Sequence, residues 1–312
     1  MRSETAALWR GPIAWFTPAT PSDSATLARW RASVGPPILP NITSALPTPV
    51  DAITVVSWNV ALGEADVAAM ARALPSGKPV VLLLQEVYRD GPSVPRALDR
   101  RASYAGYLPG ATARPGAHDI DEVAAQLGLA VYYVPSMRNG GPLVSDEDRG
   151  NAILSNLPLS DLSAIELPFE HQRRVAISAT ITGVTTTGQT WKVRMVNAHL
   201  DNMASARYGW VGGEYGRARQ ARGLVDLLRD DVPTVLAGDF NTWFGTSEPA
   251  YIETAAAFPQ TRMQDRRATF RGLLRLDHVF LRLTAGWRGD FRRGESRFGS
   301  DHYPLVGTLR FR

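Results

Sequence analysis

From Ile53 onward, short runs of β-branched and aliphatic residues alternate with segments of helical composition, and no other feature restricts the fold as strongly. Ile53 to Trp58 and Val80 to Val87 are apolar runs of strand length, and the alanine-rich stretch Glu64 to Leu74 between them has the spacing of an amphipathic helix. Asp121 to Leu129 reads as a helix with an acidic first turn. Strands are expected at Ala130 to Val134, Asn151 to Ser155, Val175 to Thr182, Trp191 to His199, Thr234 to Ala237, Leu276 to Leu283 and Pro304 to Phe311. Helices are expected at Gly216 to Asp230 and at Ser247 to Phe258, the second capped by Ser247. Such alternation builds stacked α and β layers, not a helical bundle or an all-β barrel.

With 312 residues, 44% of them hydrophobic, the chain has material for one large core or two ordinary ones, and disorder is excluded. The longest aliphatic run, Val80 to Leu84, is far short of the ~20 residues a membrane-crossing helix needs. The apolar stretch from Leu8 to Phe16 is broken by Arg10, Gly11 and Pro12, so it lacks the continuous core of a signal peptide. The compartment stays open between the cytosol and export with a signal removed. A chain without cysteine has no disulfides, zinc-thiolate sites, iron–sulfur clusters or thiol nucleophiles. Five histidines remain for imidazole chemistry.

Residues 1–50 differ from the rest. They hold eight of the 22 prolines and Trp9, Trp15 and Trp30, with one short helix expected near Ser24 to Ser33. This composition suits an extension that packs on the domain through its aromatics, and residues 51–312 then form the domain itself.

Polar residues recur at the ends of the expected strands, where layered α/β proteins usually meet their ligands. Asn59 ends the first strand, and Gln85 with Glu86 ends the second; His199 is followed by Asp201, and Asp239 and Asn241 follow another. Asp277 with His278, and Asp301 with His302, mark the last two. A carboxylate interrupting a hydrophobic strand is costly unless it is paired or binds a metal.

Seven strings carry these residues in order: S-W-N (Ser57 to Asn59), L-Q-E (Leu84 to Glu86), G-N-A-I-L-S (Gly150 to Ser155), N-A-H-L-D (Asn197 to Asp201), G-D-F-N (Gly238 to Asn241), L-D-H-V-F (Leu276 to Phe280) and S-D-H-Y-P-L (Ser300 to Leu305). Together they resemble the endonuclease/exonuclease/phosphatase superfamily, the deoxyribonuclease I-like proteins, from about Ile53 to the C-terminus. The resemblance implies a four-layer α/β/β/α sandwich with two mixed sheets face to face, and divalent-metal-dependent cleavage of phosphate esters. One departure is Ala61, two positions after Asn59, where apurinic endonucleases of this superfamily carry an extra acidic ligand. It argues against the DNA-repair branch.

Residue chemistry fits this resemblance. Glu86 supplies a hard oxygen ligand suited to Mg²⁺, with Mn²⁺ as an alternative, and Asn59 and Asp301 would complete or orient the metal's shell. His302 is the candidate general base, since imidazole titrates near neutrality. The resemblance places Asp277 where a carboxylate orients that histidine. His199 would face the phosphate from the other side, as hydrogen-bond donor or as an aid to the leaving group. Asp239 and Asn241 point into the same cleft, the first positioning water or metal and the second binding a phosphate oxygen. Arg173 or Arg174 matches a family arginine near the phosphate, and Asn151 is a further phosphate-binding candidate. By period-two alternation His278 points away from Asp277 and is read as structural.

Substrate is less constrained. Residues from Gln260 onward carry twelve arginines against five acids, an excess that codon bias alone can produce but that also suits a phosphate-rich ligand. Trp210 and Trp243 sit in glycine- and aromatic-containing loops where they can stack on bases or enter a lipid interface. The reading favoured is a metal-dependent phosphodiesterase acting on nucleic acid, either DNA or RNA. The alternatives are a sphingomyelinase-like or other small-phosphoester hydrolase, with membrane lipid as its partner, and an inactive binding module. No obligate protein partner is evident.

Overall fold

The computed structural model describes residues 12–41, 49–95, 116–139, 146–202, 213–261 and 265–311. Two six-stranded mixed sheets lie face to face. One runs β1 (Ala14–Phe16), β6 (Ser160–Glu166), β7 (Val175–Val184), β8 (Thr190–His199), β9 (Thr234–Asp239), β10 (Asp277–Arg282) in spatial order. The other runs β11 (Arg288–Arg293), β12 (Leu305–Arg310), β2 (Ala52–Asn59), β3 (Val80–Asp90), β5 (Glu147–Ser155), β4 (Ala130–Asn139). Helices Val67–Arg72 and Ile120–Leu127 cover the outer face of the second sheet, and Gly213–Leu227 and Pro249–Ala257 cover the first. This is the α/β/β/α sandwich of deoxyribonuclease I-like proteins.

Strand periodicity sorts the side chains into layers. In β2, Ile53 and Val55 enter the core between the sheets, while Val56 and Trp58 enter the cluster under the outer helices. Ser57 and Asn59 continue the inward phase, so the core gives way to polar groups at one end of the sandwich. The same change occurs in β3 from Leu83 to Gln85, in β8 from Met195 to Asn197 and His199, and in β9 from Ala237 to Asp239. Full burial of each large apolar side chain stabilises by roughly 1.5–3 kcal/mol, so a one-residue slip of any central strand is strongly disfavoured. Amides stitch the sheets together beneath the polar end: Gln85 Nε2 donates to Asn197 Oδ1 (2.7 Å), and Asn197 Nδ2 donates to the Leu84 and Ala152 carbonyls (both 2.8 Å).

Several boundaries differ from the sequence reading. The expected Ser247 cap does not form: Ser247 lies in a 3₁₀ turn and the helix begins at Pro249, because proline suits the first helical position. Strands β6 and β11 were not expected; β11 reads R-G-D-F-R-R and lies on a sheet edge, so it carries little apolar signal.

The N-terminal extension joins both sheets. Strand β1 pairs in parallel with β6, Trp15 enters the central core, and Ile38 bridges to Tyr133 on the free edge of β4. The helix falls at Pro21–Arg31, and its Trp30 is 2% exposed with its ring edge-on to Phe169. Two edges that would otherwise expose unpaired backbone are thereby covered.

Candidate active site

Strand register gathers residues that are far apart in the chain. His199 pairs with Asp239 across β8 and β9, and Asp239 pairs with Asp277 across β9 and β10, so the three stand in one row. Gly238 permits this close packing: its φ is +149°, and a Cβ there would lie 1.8 Å from the Ala198 carbonyl oxygen. On the facing sheet, Asn59 pairs with Gln85. A bulge in β3 between Leu84 and Val87 turns Glu86 out of the ladder at φ +53°. Bulges re-aim side chains, and this left-handed conformation in a non-glycine residue is strain kept by its surroundings. Asn241 has the same feature, with φ +50°.

Asp239 is the hub. Its carboxylate accepts Asn59 Nδ2 (3.0 Å) and the Asn241 backbone N–H (2.9 Å), and it lies 3.6 Å from His199 Nε2 and 3.8 Å from His302 Nε2. His302 donates through Nδ1 to Asp277 Oδ2 at 2.8 Å, which leaves Nε2 facing Asp239 and Asp301. Thr269 Oγ1 accepts the Leu276 and Asp277 backbone N–H groups (both 3.1 Å), and Ser300 Oγ accepts the His302 N–H (2.9 Å) while donating to the Asn59 carbonyl (2.7 Å). The Asp–His pair is thus held from both chain segments.

Electrostatics follow from burial and crowding. Burial, then the Asp277 charge, pushes the Asp239 carboxyl up to about 7, against the opposing effects of His302, Asn59 and the Asn241 N–H. Burial opposes protonation of His302, but Asp277, Asp239 and Asp301 outweigh it and raise the imidazole to about 10. His199 behaves oppositely: burial, then Arg174, His302 and Arg149, drive it well below its usual value, so its imidazole is neutral. Arg174 Nη1 lies 3.1 Å from His199 Nδ1, and guanidinium can only donate, so Nδ1 accepts and Nε2 carries the proton. His199 therefore presents a neutral N–H donor to the cleft, not an acid.

The other sequence candidates divide. Arg174 is in the site, whereas Arg173 is not: its guanidinium is buried between the sheets, bonded to Glu166 Oε1 (2.6 Å) and to the Pro135 and Ser136 carbonyls. Its charge is already matched by Glu166 away from the cleft, which corrects the expectation that it binds phosphate. Asn151 Nδ2 is likewise committed, donating to the Val175 carbonyl at 2.7 Å. Asn241 Nδ2 donates to the Leu200 carbonyl (3.0 Å). Trp243 is half-buried on the rim with Nε1 donating to the Asn202 carbonyl (3.3 Å), next to Phe244, which is 70% exposed. Trp210 lies outside the described residues. His278 is on the outer face, bonded to Thr242 Oγ1 (2.7 Å) among the Phe240, Tyr251 and Phe280 rings. Arg149 was missed; its only sequence signal is the inward phase it shares with Asn151 and Ile153.

The donor set fits a divalent cation. Glu86, 27% exposed, has no Lys or Arg ion pair among the described residues and meets only His199 Nε2, at 4.0 Å. Asp277 Oδ1 is buried without a hydrogen-bond partner. Asp239, Asp277 and His302 bring ligand atoms within 4.8 Å of one another, although the Asp277–His302 bond already engages two of these groups. Hard oxygen donors of this kind suit Mg²⁺ or Mn²⁺.

Fold and site together define a deoxyribonuclease I-like sandwich with an Asp–His pair in an acidic cleft. The chain belongs to the Endonuclease/Exonuclease/phosphatase family, whose profile matches residues 56–302. It is similar to a UPF0294 protein of Vibrio cholerae, 37% identical over 123 residues, a match covering 38% of this chain and 39% of that protein. Among solved structures it resembles an endonuclease/exonuclease/phosphatase from Beutenbergia cavernae (TM-score 0.56, 21% identity, 84% of this chain and 72% of that one). It also resembles a conserved protein of unknown function from Enterococcus faecalis (TM-score 0.53, 16% identity, 83% and 100%). Both structural likenesses concern the fold.

Proposed function

We propose that this protein is a divalent-cation-dependent phosphoesterase that hydrolyses phosphodiester bonds in nucleic acid. The observation carrying this reading is the 2.8 Å Asp277–His302 bond, set so that His302 Nε2 opens onto the cleft shared by Asp239, Glu86 and Asp301. Asp277 fixes the tautomer and stabilises the imidazolium, as in hydrolytic Asp–His pairs. His302 Nε2 takes the proton of an attacking water. The His199 Nε2–H, kept neutral, donates to a non-bridging phosphate oxygen, and Asn59 holds Asp239 in place for water or ligand. Glu86, with Asn59 and Asp301, would hold a cation that neutralises phosphate charge and lowers the proton affinity of His302.

Nucleic acid is supported by the arginine-rich C-terminal region and by Arg271, whose side chain is 62% exposed beside Asp301. A second reading, a lipid-headgroup phosphodiesterase, is favoured by the apolar rim, where Phe244 is 70% and Leu273 80% exposed. The test is a panel of plasmid DNA, RNA, sphingomyelin and inositol phosphates, each with Mg²⁺, Mn²⁺ or chelator. We expect cation-dependent cleavage of DNA or RNA, lost in Glu86→Ala with the fold retained. Chelator-resistant turnover would overturn the metal dependence, and cleavage of sphingomyelin alone would favour the second reading.

A further inference from the structure

Arg149 is 7% exposed at the mouth of the cleft, on the strand beside the Glu86 bulge, and its one hydrogen bond goes to the Met137 thioether (3.1 Å). Arg174, 5% exposed, bonds to His199 Nδ1 and Gln172 Oε1, both uncharged, and its buried Nε has no partner. Neither guanidinium is within 4.0 Å of a carboxylate among the described residues. By contrast, three other buried arginines, Arg89, Arg173 and Arg217, are each ion-paired. A buried guanidinium without an anion is unfavourable, and two close enough to repel each other are more so. Glu86, on the neighbouring strand, acts on Arg149 only at a distance beyond that of an ion pair, and committing that carboxylate to a cation removes even this balance.

We propose that Arg149 extends the site of Arg174, the arginine the family resemblance already places near the phosphate, into a two-arginine anion subsite for phosphate oxygens, on the side of the cleft opposite His302, and that it binds without a metal. Resting on the phosphoesterase reading, it seats a substrate phosphate through the paired donors that guanidinium offers to such oxygens. Arg149 thereby sets substrate affinity without touching the proton-transferring pair.

The test uses the full chain in chelator, titrated calorimetrically with inorganic phosphate, with sulfate as a second probe. Wild type should bind phosphate, Arg149→Met should bind it roughly 10- to 100-fold more weakly, and Arg149→Lys should recover part of the loss. Because the replaced charge is unpaired, Arg149→Met should melt no lower than wild type, and phosphate should raise the melting temperature of wild type alone. With diester substrate and cation, Arg149→Met should raise KM by a similar factor while kcat changes little. The subsite is refuted if chelated wild type ignores phosphate, if Arg149→Met binds it normally, or if that variant melts far lower. An unchanged KM with lost phosphate binding would refute occupancy by substrate. Phosphate binding is read without turnover, so a protein that cleaves nothing in the panel yet binds phosphate through Arg149 would sink only the hydrolase reading.

Discussion

Two buried charged regions lie at the same end of the sandwich, and they are built on opposite plans. Where the N-terminal extension meets the sheets, the buried acids are matched: Asp148 accepts Arg89 Nε and Nη2, the Tyr133 hydroxyl and the Gly35 N–H, while Glu166 accepts Arg31 and Arg173. In the cleft the charges are sorted instead of matched. Asp239, Asp277 and Asp301 surround His302, Glu86 faces His199, and Arg149 and Arg174 stand apart without carboxylates. Matched charges hold segments together; sorted charges leave each sign available to a ligand of the other. The first region fastens residues 12–41, and the second is where chemistry is expected.

The largest test of this contrast is kinetic. Replacing His302 by alanine should lower turnover roughly 10²- to 10⁴-fold, as for a lost general base, and Asp277→Asn should do similar harm through the tautomer. Near-normal rates in either variant would remove the proton-handling role from the sorted region.

Stability should respond in the other region. Asp148→Asn strands the Arg89 guanidinium and should cost about 3–5 kcal/mol in denaturant unfolding. Glu86→Gln should cost little, because that carboxylate is 27% exposed and makes no Lys or Arg ion pair among the described residues. Equal losses in the two variants would erase the distinction.

The pH dependence of the metal-free protein sharpens it further. Asp239 is raised from 3.8 to about 7, so folding binds an extra proton and this contribution is present below pH 3.8 and lost as pH rises through 7. His302 is raised from 6.5 to about 10, so its contribution is full below pH 6.5 and lost as pH rises through 10. Both slopes have the same sign, and saturating Mg²⁺ should flatten them by supplying the missing positive charge. Melting curves across this range with and without Mg²⁺ measure the effect; curves unchanged by Mg²⁺ would argue against a cation in the cleft.

The smallest effect concerns the rim. Arg271→Ala should reduce by about one unit the slope of log affinity for nucleic acid against log salt. Arg267→Ala should change it less, because Arg267 is held by Asp265 and Glu295 at 2.7 and 2.8 Å, whereas Arg271 meets Asp301 alone, at 3.5 Å. A lower slope from Arg267 and none from Arg271 would show that the tightness of pairing does not decide which arginines meet the substrate.

The central strands and their polar ends were legible because a strand has a fixed period of two and because buried runs need apolar residues. Asn59, Asp239 and His199 are in phase with Val55, Ala237 and Met195, so their convergence between the sheets follows from phase once the sheets face each other. The placement of His278 outside was readable in the same way. Arg173 and Arg174 were not separable, since adjacent residues ahead of a strand carry no signal of which one meets Glu166. The arginine-rich tail was read as a surface for phosphate, yet Arg267, Arg282 and Arg310 are spent on acids of the same chain.

What the sequence determined by itself was the alternation of strands and helices and the inward phase of the central strands, because propensity and periodicity are local properties of the chain; the four-layer order came with the family resemblance. What only the tertiary structure decided was the charge state of the inward residues. His199 and His302 are the same residue type at the ends of two strands, and one is held neutral while the other is held protonated. The difference arises from Arg174 beside the first and Asp277 beside the second, at 3.1 Å and 2.8 Å. Coulomb interactions and desolvation depend on such distances and on exclusion of water, and neither exists until the two sheets close on each other.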